Sequence, residues 1–113
     1  MSVVDYAVDG EVALLTVNYP PVNALSYATR SGLGEALDNA EADPAVKAIV
    51  ILGGGSTFIA GADITEFGTE NGAKDPRLHT LQARLEKCDK LTIAAIHGTA
   101  LGGGLELALT CKA

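Results

Sequence analysis

Two continuous apolar runs, VKAIVIL at 46–52 and LTIAAI at 91–96, each pass directly into a glycine-rich turn. The first leads into GGGSTFIAGADI and the second into HGTALGGGLEL. Apolar runs without alternation read as strands buried within a sheet. Each is followed by glycine and then by a helix start, so the same strand–turn–helix unit occurs twice. Adjacent parallel strands of this kind bring their turns to one edge of the sheet, where α/β proteins bind ligands.

The remaining segments fit an α/β order. Residues 3–8 and 11–18 read as two strands joined at Asp9-Gly10, a strong hairpin signal. Residues 19–25 contain Pro20-Pro21 and form a loop. Ser26 is placed to cap a helix in which Leu33, Ala36, Leu37 and Ala40 recur at helical spacing, and Asp43-Pro44 ends it. Pro76 opens a further helix with Leu78, Leu81 and Leu85 on one face, a core stripe. Gly102–Gly104 lead into a last helix carrying Glu106 and Leu107. No linker or composition break interrupts the 113 residues, which read as one domain or part of one.

Composition excludes several classes of function. The formal charge is −6 and the 8 basic residues are scattered, so no basic stripe exists for nucleic acid. No apolar run is long enough to span a bilayer, and the first residues show no basic and apolar leader. Cys88 and Cys111 have neither disulfide-framework nor metal spacing; they read as reduced thiols of a cytoplasmic protein. The glycine runs satisfy neither GxxxxGK[ST] nor GxGxxG, and no GxSxG nucleophile elbow is present. No metal site is expected.

The segment GTALGGGLEL places three glycines directly before a glutamate among leucines. Glycine weakens a helix by roughly 0.5–1 kcal/mol relative to alanine, and a carboxylate among leucines is costly without a partner. Helix N-termini carry free N–H groups and the positive end of the dipole. Two such N–H groups aimed at one carbonyl oxygen form an oxyanion hole. Glu106 has two readings on residues alone: an acid suited to the helix dipole, or a partly desolvated carboxyl of raised pKa suited to proton transfer. Asp63 followed by Glu66 resembles a capping box. His79 and His97 have no paired ligand and read as structural.

Taken together, PPVNALS (20–26), FIAGADI (58–64) and HGTALGGGLELAL (97–109) resemble the crotonase superfamily of enoyl-CoA hydratases and isomerases. The combination of PPVNALS with GGGLELAL looks most like the hydratase part of bifunctional enzymes that also carry a 3-hydroxyacyl-CoA dehydrogenase. The resemblance implies the N-terminal part of a crotonase-like ββα spiral, so that residues 1–113 form a partial enoyl-CoA hydratase/isomerase domain. It implies an oxyanion hole from the backbone N–H groups of Ala62 and Gly103, with Glu106 as the catalytic acid or base. Ala24, Ala60, Ala62, Asp63, Ile64 and Gly103 are the implied acyl-CoA-binding positions. Coenzyme A enters as part of the substrate, and no separate cofactor is implied.

The implied reaction is hydration of a trans-2-enoyl-CoA in fatty-acid β-oxidation. The alternatives are Δ3,Δ2-isomerisation, or a truncated chain that binds acyl-CoA without turnover. Family hydratases use a second glutamate about twenty residues after the first, beyond Ala113. Many relatives carry Lys or Arg where this chain has Thr65, which weakens the electrostatic case for holding CoA phosphates. A homo-oligomer or a fused dehydrogenase is the expected assembly. A 113-residue piece of such a domain is expected to expose apolar surface and to associate.

Overall fold

The computed structural model describes residues 3–20, 22–55, 57–61, 63–98, 100 and 102–113, with the side chain of Ile64 left out. Strand β1 (Val4–Asp9) turns at Gly10 into β2 (Val12–Val17), with Asp9 opposite Val12. Gly10 sits at φ 62, the left-handed conformation that the tight hairpin turn requires. Helix α1 (Tyr27–Ala42) crosses over to β3 (Ala48–Gly53). A 3-10 turn (Ile64–Glu66), the short α2 (Glu70–Ala73) and α3 (Leu78–Lys87) then lead to β4 (Leu91–Ala95) and α4 (Gly102–Thr110). The sheet order is β1-β2-β3-β4, antiparallel in the first pair and parallel in the other two.

Helix α1 forms as its sequence dictates. Ser26 has extended backbone, and its hydroxyl accepts from the Thr29 amide at 3.1 Å, closing the first turn. Leu33, Ala36, Leu37 and Ala40 then fall on one buried stripe. They pack with Leu81 and Leu85 of α3 and with the inward residues Ala13, Leu15, Val17, Ile49 and Ile51 of the sheet. Each fully buried leucine contributes about 1.5–3 kcal/mol by leaving water. Both ends of α1 are finished by distant residues. Glu66 Oε1 accepts from the Tyr27 amide at 2.9 Å, and Lys90 Nζ donates to the Ala40 and Asp43 carbonyls at 2.6 and 2.7 Å.

The two parallel strands depart from the expectation of burial on both faces. In β3 burial alternates strictly, and in β4 only Thr92 is fully buried. The row 13–49–92 faces the helices, whereas Leu14, Val50 and Ile93 share the opposite face and are half-buried. Both faces of these strands are apolar in sequence, yet the helices cover one. The β4 edge is paired by the chain's own end: the Ala94 amide donates to the Ala113 carbonyl at 2.9 Å, and the Ala113 amide to Thr92 at 3.0 Å. That spacing is a parallel ladder. Thus α4 stops at Thr110, and the last residues turn back beside β4.

Candidate active site

The loop of the PPVNALS motif is shaped by one side chain. Asn23 adopts φ 55 and is 3% exposed. Its Oδ1 accepts from the Tyr19 amide at 2.8 Å while its own amide donates to the Tyr19 carbonyl at 2.8 Å, and asparagine tolerates the left-handed region better than most residues. Its Nδ2 donates to the carbonyls of Gly54, Thr57 and Phe58 at 2.9–3.0 Å. The loop is thereby fastened to the turn that follows β3.

From there the loop runs beside the FIAGADI segment. The Ala60 amide donates to the Val22 carbonyl at 3.1 Å, and the Leu25 amide to Gly61 at 2.7 Å. Ala24, between these two bonds, is half-buried, and its carbonyl accepts from the Thr29 hydroxyl at 2.8 Å. Phe58 and Ile59 anchor the segment in the core at 0% exposure.

The GGG helix start meets the same segment from the other side. A β-carbon on Gly104 would lie 1.9 Å from the Ile59 carbonyl oxygen, and one on Gly102 would lie 3.9 Å from the Gly61 α-carbon. Gly102 itself has φ 48. The glycines therefore let α4 begin against bare backbone, which accounts for their place in an apolar stretch. A further tie joins the two turns: His97 Nε2 lies 2.9 Å from the Gly55 carbonyl. That matches its reading as structural, and the two strand ends do share one edge of the sheet.

Gly103 opens onto a 160 Å³ pocket that also has Leu25, Arg30, Phe67, Arg77 and Leu78 in its walls. As a residue of the first turn of α4, Gly103 lies where backbone N–H groups have no partner within their own helix. Ala62, expected as the second donor, lies outside the described residues, as does the side chain of Ile64. Ala60 and Asp63, on either side, are half-buried.

Two expectations change with the geometry. Asp63 does cap: its Oδ1 accepts from the Thr65 amide at 3.0 Å and the Thr65 hydroxyl at 2.6 Å. Glu66, however, does not reach back to Asp63 as a capping box would. It reaches Tyr27 instead, with its carboxylate 3.7 Å from Arg30. Thr65 is thus occupied with Asp63.

The second change concerns Glu106, which is exposed rather than enclosed by leucines. Gly104, Leu107 and Ala108 face the core at helical spacing, so Leu105, Glu106 and Leu109 share the outer face. Leu105 is 41% and Leu109 76% exposed. Its backbone is engaged, the carbonyl accepting from Thr110 Oγ1 at 2.9 Å and Gln82 Nε2 at 3.3 Å. Among the described residues, Glu106 therefore stands at the free face of α4, one turn from Gly103.

Sequence reading missed two residues that organise the site, Asn23 and Arg30. The turn signal of an asparagine after Pro-Pro-Val was available for the first. Arg30, lying on the buried face of α1, gave no sequence signal because all its acceptors but Leu25 are backbone carbonyls 41–46 residues away.

The cysteines are free thiols, Cys88 buried and Cys111 half-buried, and burial raises the Cys111 thiol above its ordinary range. No group of three or more metal-ligating side chains occurs among the described residues, and none of their helices is long and apolar enough to cross a membrane.

Comparison with known proteins follows the same lines. The sequence profile of the enoyl-CoA hydratase/isomerase family matches residues 8–113. A probable enoyl-CoA hydratase of Bacillus subtilis is 47% identical over 116 residues, covering 98% of this chain and 45% of that protein. A peroxisomal bifunctional enzyme of Danio rerio is 47% identical over 100 residues, covering 88% of this chain and 14% of that protein. Among solved structures, an enoyl-CoA hydratase/carnithine racemase of Magnetospirillum magneticum superposes with TM-score 0.85 at 34% identity, covering 99% of this chain and 45% of that one. The chain thus spans less than half the length of these relatives. Its fold is the part of the crotonase fold that those structures share with it, and the chain belongs to the enoyl-CoA hydratase/isomerase family, the crotonase superfamily.

Proposed function

We propose that the protein carrying this chain is an enoyl-CoA hydratase, which adds water across the double bond of a trans-2-enoyl-CoA in fatty-acid β-oxidation. The observation that supports it most is the backbone-to-backbone approach of the GGG helix start to the 59–61 segment, beside an open pocket at Gly103. In this reading the amides of Ala62 and Gly103 donate to the thioester oxygen as negative charge builds on it. Backbone donors suffice, which is why alanine and glycine serve there. Ala24, Ala60, Asp63 and Ile64 line the path of the acyl-CoA.

Glu106 then handles the proton. Water attacks C3 as its O–H proton passes to the Glu106 carboxylate, and the enolate's C2 takes a proton from the acid so formed, which returns Glu106 to its carboxylate and adds the elements of water in full. The exposed face of α4 that carries Glu106, Leu105 and Leu109 is the face the reading needs free for substrate. The bifunctional and multifunctional relatives support a second catalytic domain in the same polypeptide.

The test is incubation of the complete protein with crotonyl-CoA, following loss of the conjugated thioester and appearance of the 3-hydroxyacyl product. Hydration at an enzyme-like rate is expected. A folded protein that only moves the double bond of a 3-enoyl-CoA would assign it to the isomerases. Binding of acyl-CoA with neither reaction would leave a binding protein.

A further inference from the structure

Arg30 is 7% exposed, and its guanidinium is spent almost wholly on main-chain carbonyls. Nε donates to Pro76 at 2.8 Å, and Nη1 to Leu25 at 2.9 Å. Nη2 donates to Asn71 at 2.7 Å and to Lys74 at 3.3 Å. Glu66 Oε1, 3.7 Å from Nη1, supplies the countercharge. A buried charge persists only when paired and hydrogen-bonded in this way. The acceptors lie on two separate segments, the PPVNALS loop at Leu25 and the 71–76 stretch around α2. Residues of those same segments line the pocket at Gly103: Leu25 of the loop, and Gly72, Arg77 and Leu78 of the later stretch. None of the residues 68–77, α2 included, is fully buried. The position of this stretch therefore depends heavily on the guanidinium.

We propose that Arg30 is a positioning residue that fixes the width of the pocket beside Gly103 and so sets which acyl chains the protein accepts; this rests on the acyl-CoA reading above. A lysine at this position keeps the charge but not the planar fork of five donors, and cannot reach four carbonyls spread over two segments. With the tie lost, the 71–78 wall moves outward and longer chains are admitted.

The experiment compares the complete wild-type protein with Arg30→Lys on 2-butenoyl-CoA and 2-decenoyl-CoA. The same pair is measured by calorimetry with saturated butanoyl-CoA and decanoyl-CoA. The expected result is a shift of the long-to-short ratio, in kcat/KM and in affinity, of about tenfold towards the long chain. A purely structural role would lower thermal stability and leave that ratio within about twofold, which would overturn the proposal. Should Arg30→Lys fail to fold, Glu66→Gln removes only the countercharge; a same-direction shift of about threefold supports the proposal and an unchanged ratio overturns it. If the wild type binds acyl-CoA without turnover, the hydratase reading fails and the affinity ratio alone decides the role of Arg30. If it binds neither acyl-CoA, both fall.

Discussion

Gly104 approaches the Ile59 carbonyl so closely that a β-carbon there would sit 1.9 Å from the oxygen. The helix that carries Glu106 is therefore seated on the FIAGADI segment by the lack of a side chain. Gly104→Ala is expected to cost about 1–3 kcal/mol, as overpacking does, despite the better helix propensity of alanine. Gly10→Ala is the control: a β-carbon there meets nothing within 4 Å, leaving only the left-handed backbone penalty, about 1–2 kcal/mol. Urea unfolding of both variants tests the pair. A stabilised Gly104→Ala would show that helix and segment are not in contact.

Asn23 separates backbone conformation from hydrogen bonding. Asn23→Gly keeps the left-handed turn but removes the amide that serves Gly54, Thr57 and Phe58. Buried carbonyls left without a donor cost about 1–3 kcal/mol. Asn23→Ala adds backbone strain of about 1–2 kcal/mol. The expected order of stability is wild type, then glycine, then alanine. A glycine variant as stable as wild type would mean the three carbonyls find other partners.

The start of α1 and the hairpin were legible because their signals are local, whereas Pro76, expected to open α3, precedes its N-cap Arg77 and its first residue Leu78. Ser26 before the 3.6-residue stripe, Asp9-Gly10 between strands and the buried set Leu33, Leu37, Leu81 and Leu85 all appear in the structure as read. What was not legible depends on contacts across the chain. Glu66 caps α1 from 39 residues away, and Lys90 finishes its other end from 47–50 residues away. The surroundings of Glu106 were misread because a leucine count ignores helical phase: of residues 105, 107 and 109, only Leu107 turns inward. The short α2 was missed because it buries nothing and rests on Thr69, whose hydroxyl accepts from Gly72 at 3.2 Å.

The uncovered strand face and the outer face of α4 make a prediction about the 113-residue chain in isolation. Leu91, Ile96, Leu105 and Leu109 are each 41–76% exposed. Exposed apolar side chains of this size favour association. Sedimentation velocity is expected to show concentration-dependent self-association. A monomer with a sharp two-state unfolding transition would contradict it.

Asp75 carries a pH-dependent contribution to the start of α3. Its carboxylate accepts from the Thr80 hydroxyl at 2.9 Å and the Arg77 amide at 3.2 Å, and these bonds, in that order, hold it below its usual value of 3.8. Below that value the unfolded chain binds the proton more readily than the folded one, so this contribution is present at neutral pH and is lost as the pH falls through the folded value. Thr80→Val is expected to raise the Asp75 pKa towards the ordinary value in an NMR titration. An unshifted titration would show that the hydroxyl contributes nothing.

Glu106 remains the point on which the chemistry turns. Because its side chain is exposed and its structural bonds are made by its main-chain carbonyl, Glu106→Gln is expected to change stability by no more than about 0.5 kcal/mol. A positioned general acid or base contributes about 10²–10⁴-fold. The decisive measurement is steady-state hydration of crotonyl-CoA by the complete wild-type and Glu106→Gln proteins, with acyl-CoA binding measured alongside. The account predicts retained binding and a loss of turnover by at least 10²-fold; turnover within a few-fold of wild type would reduce Glu106 to a helix-start acid and contradict it.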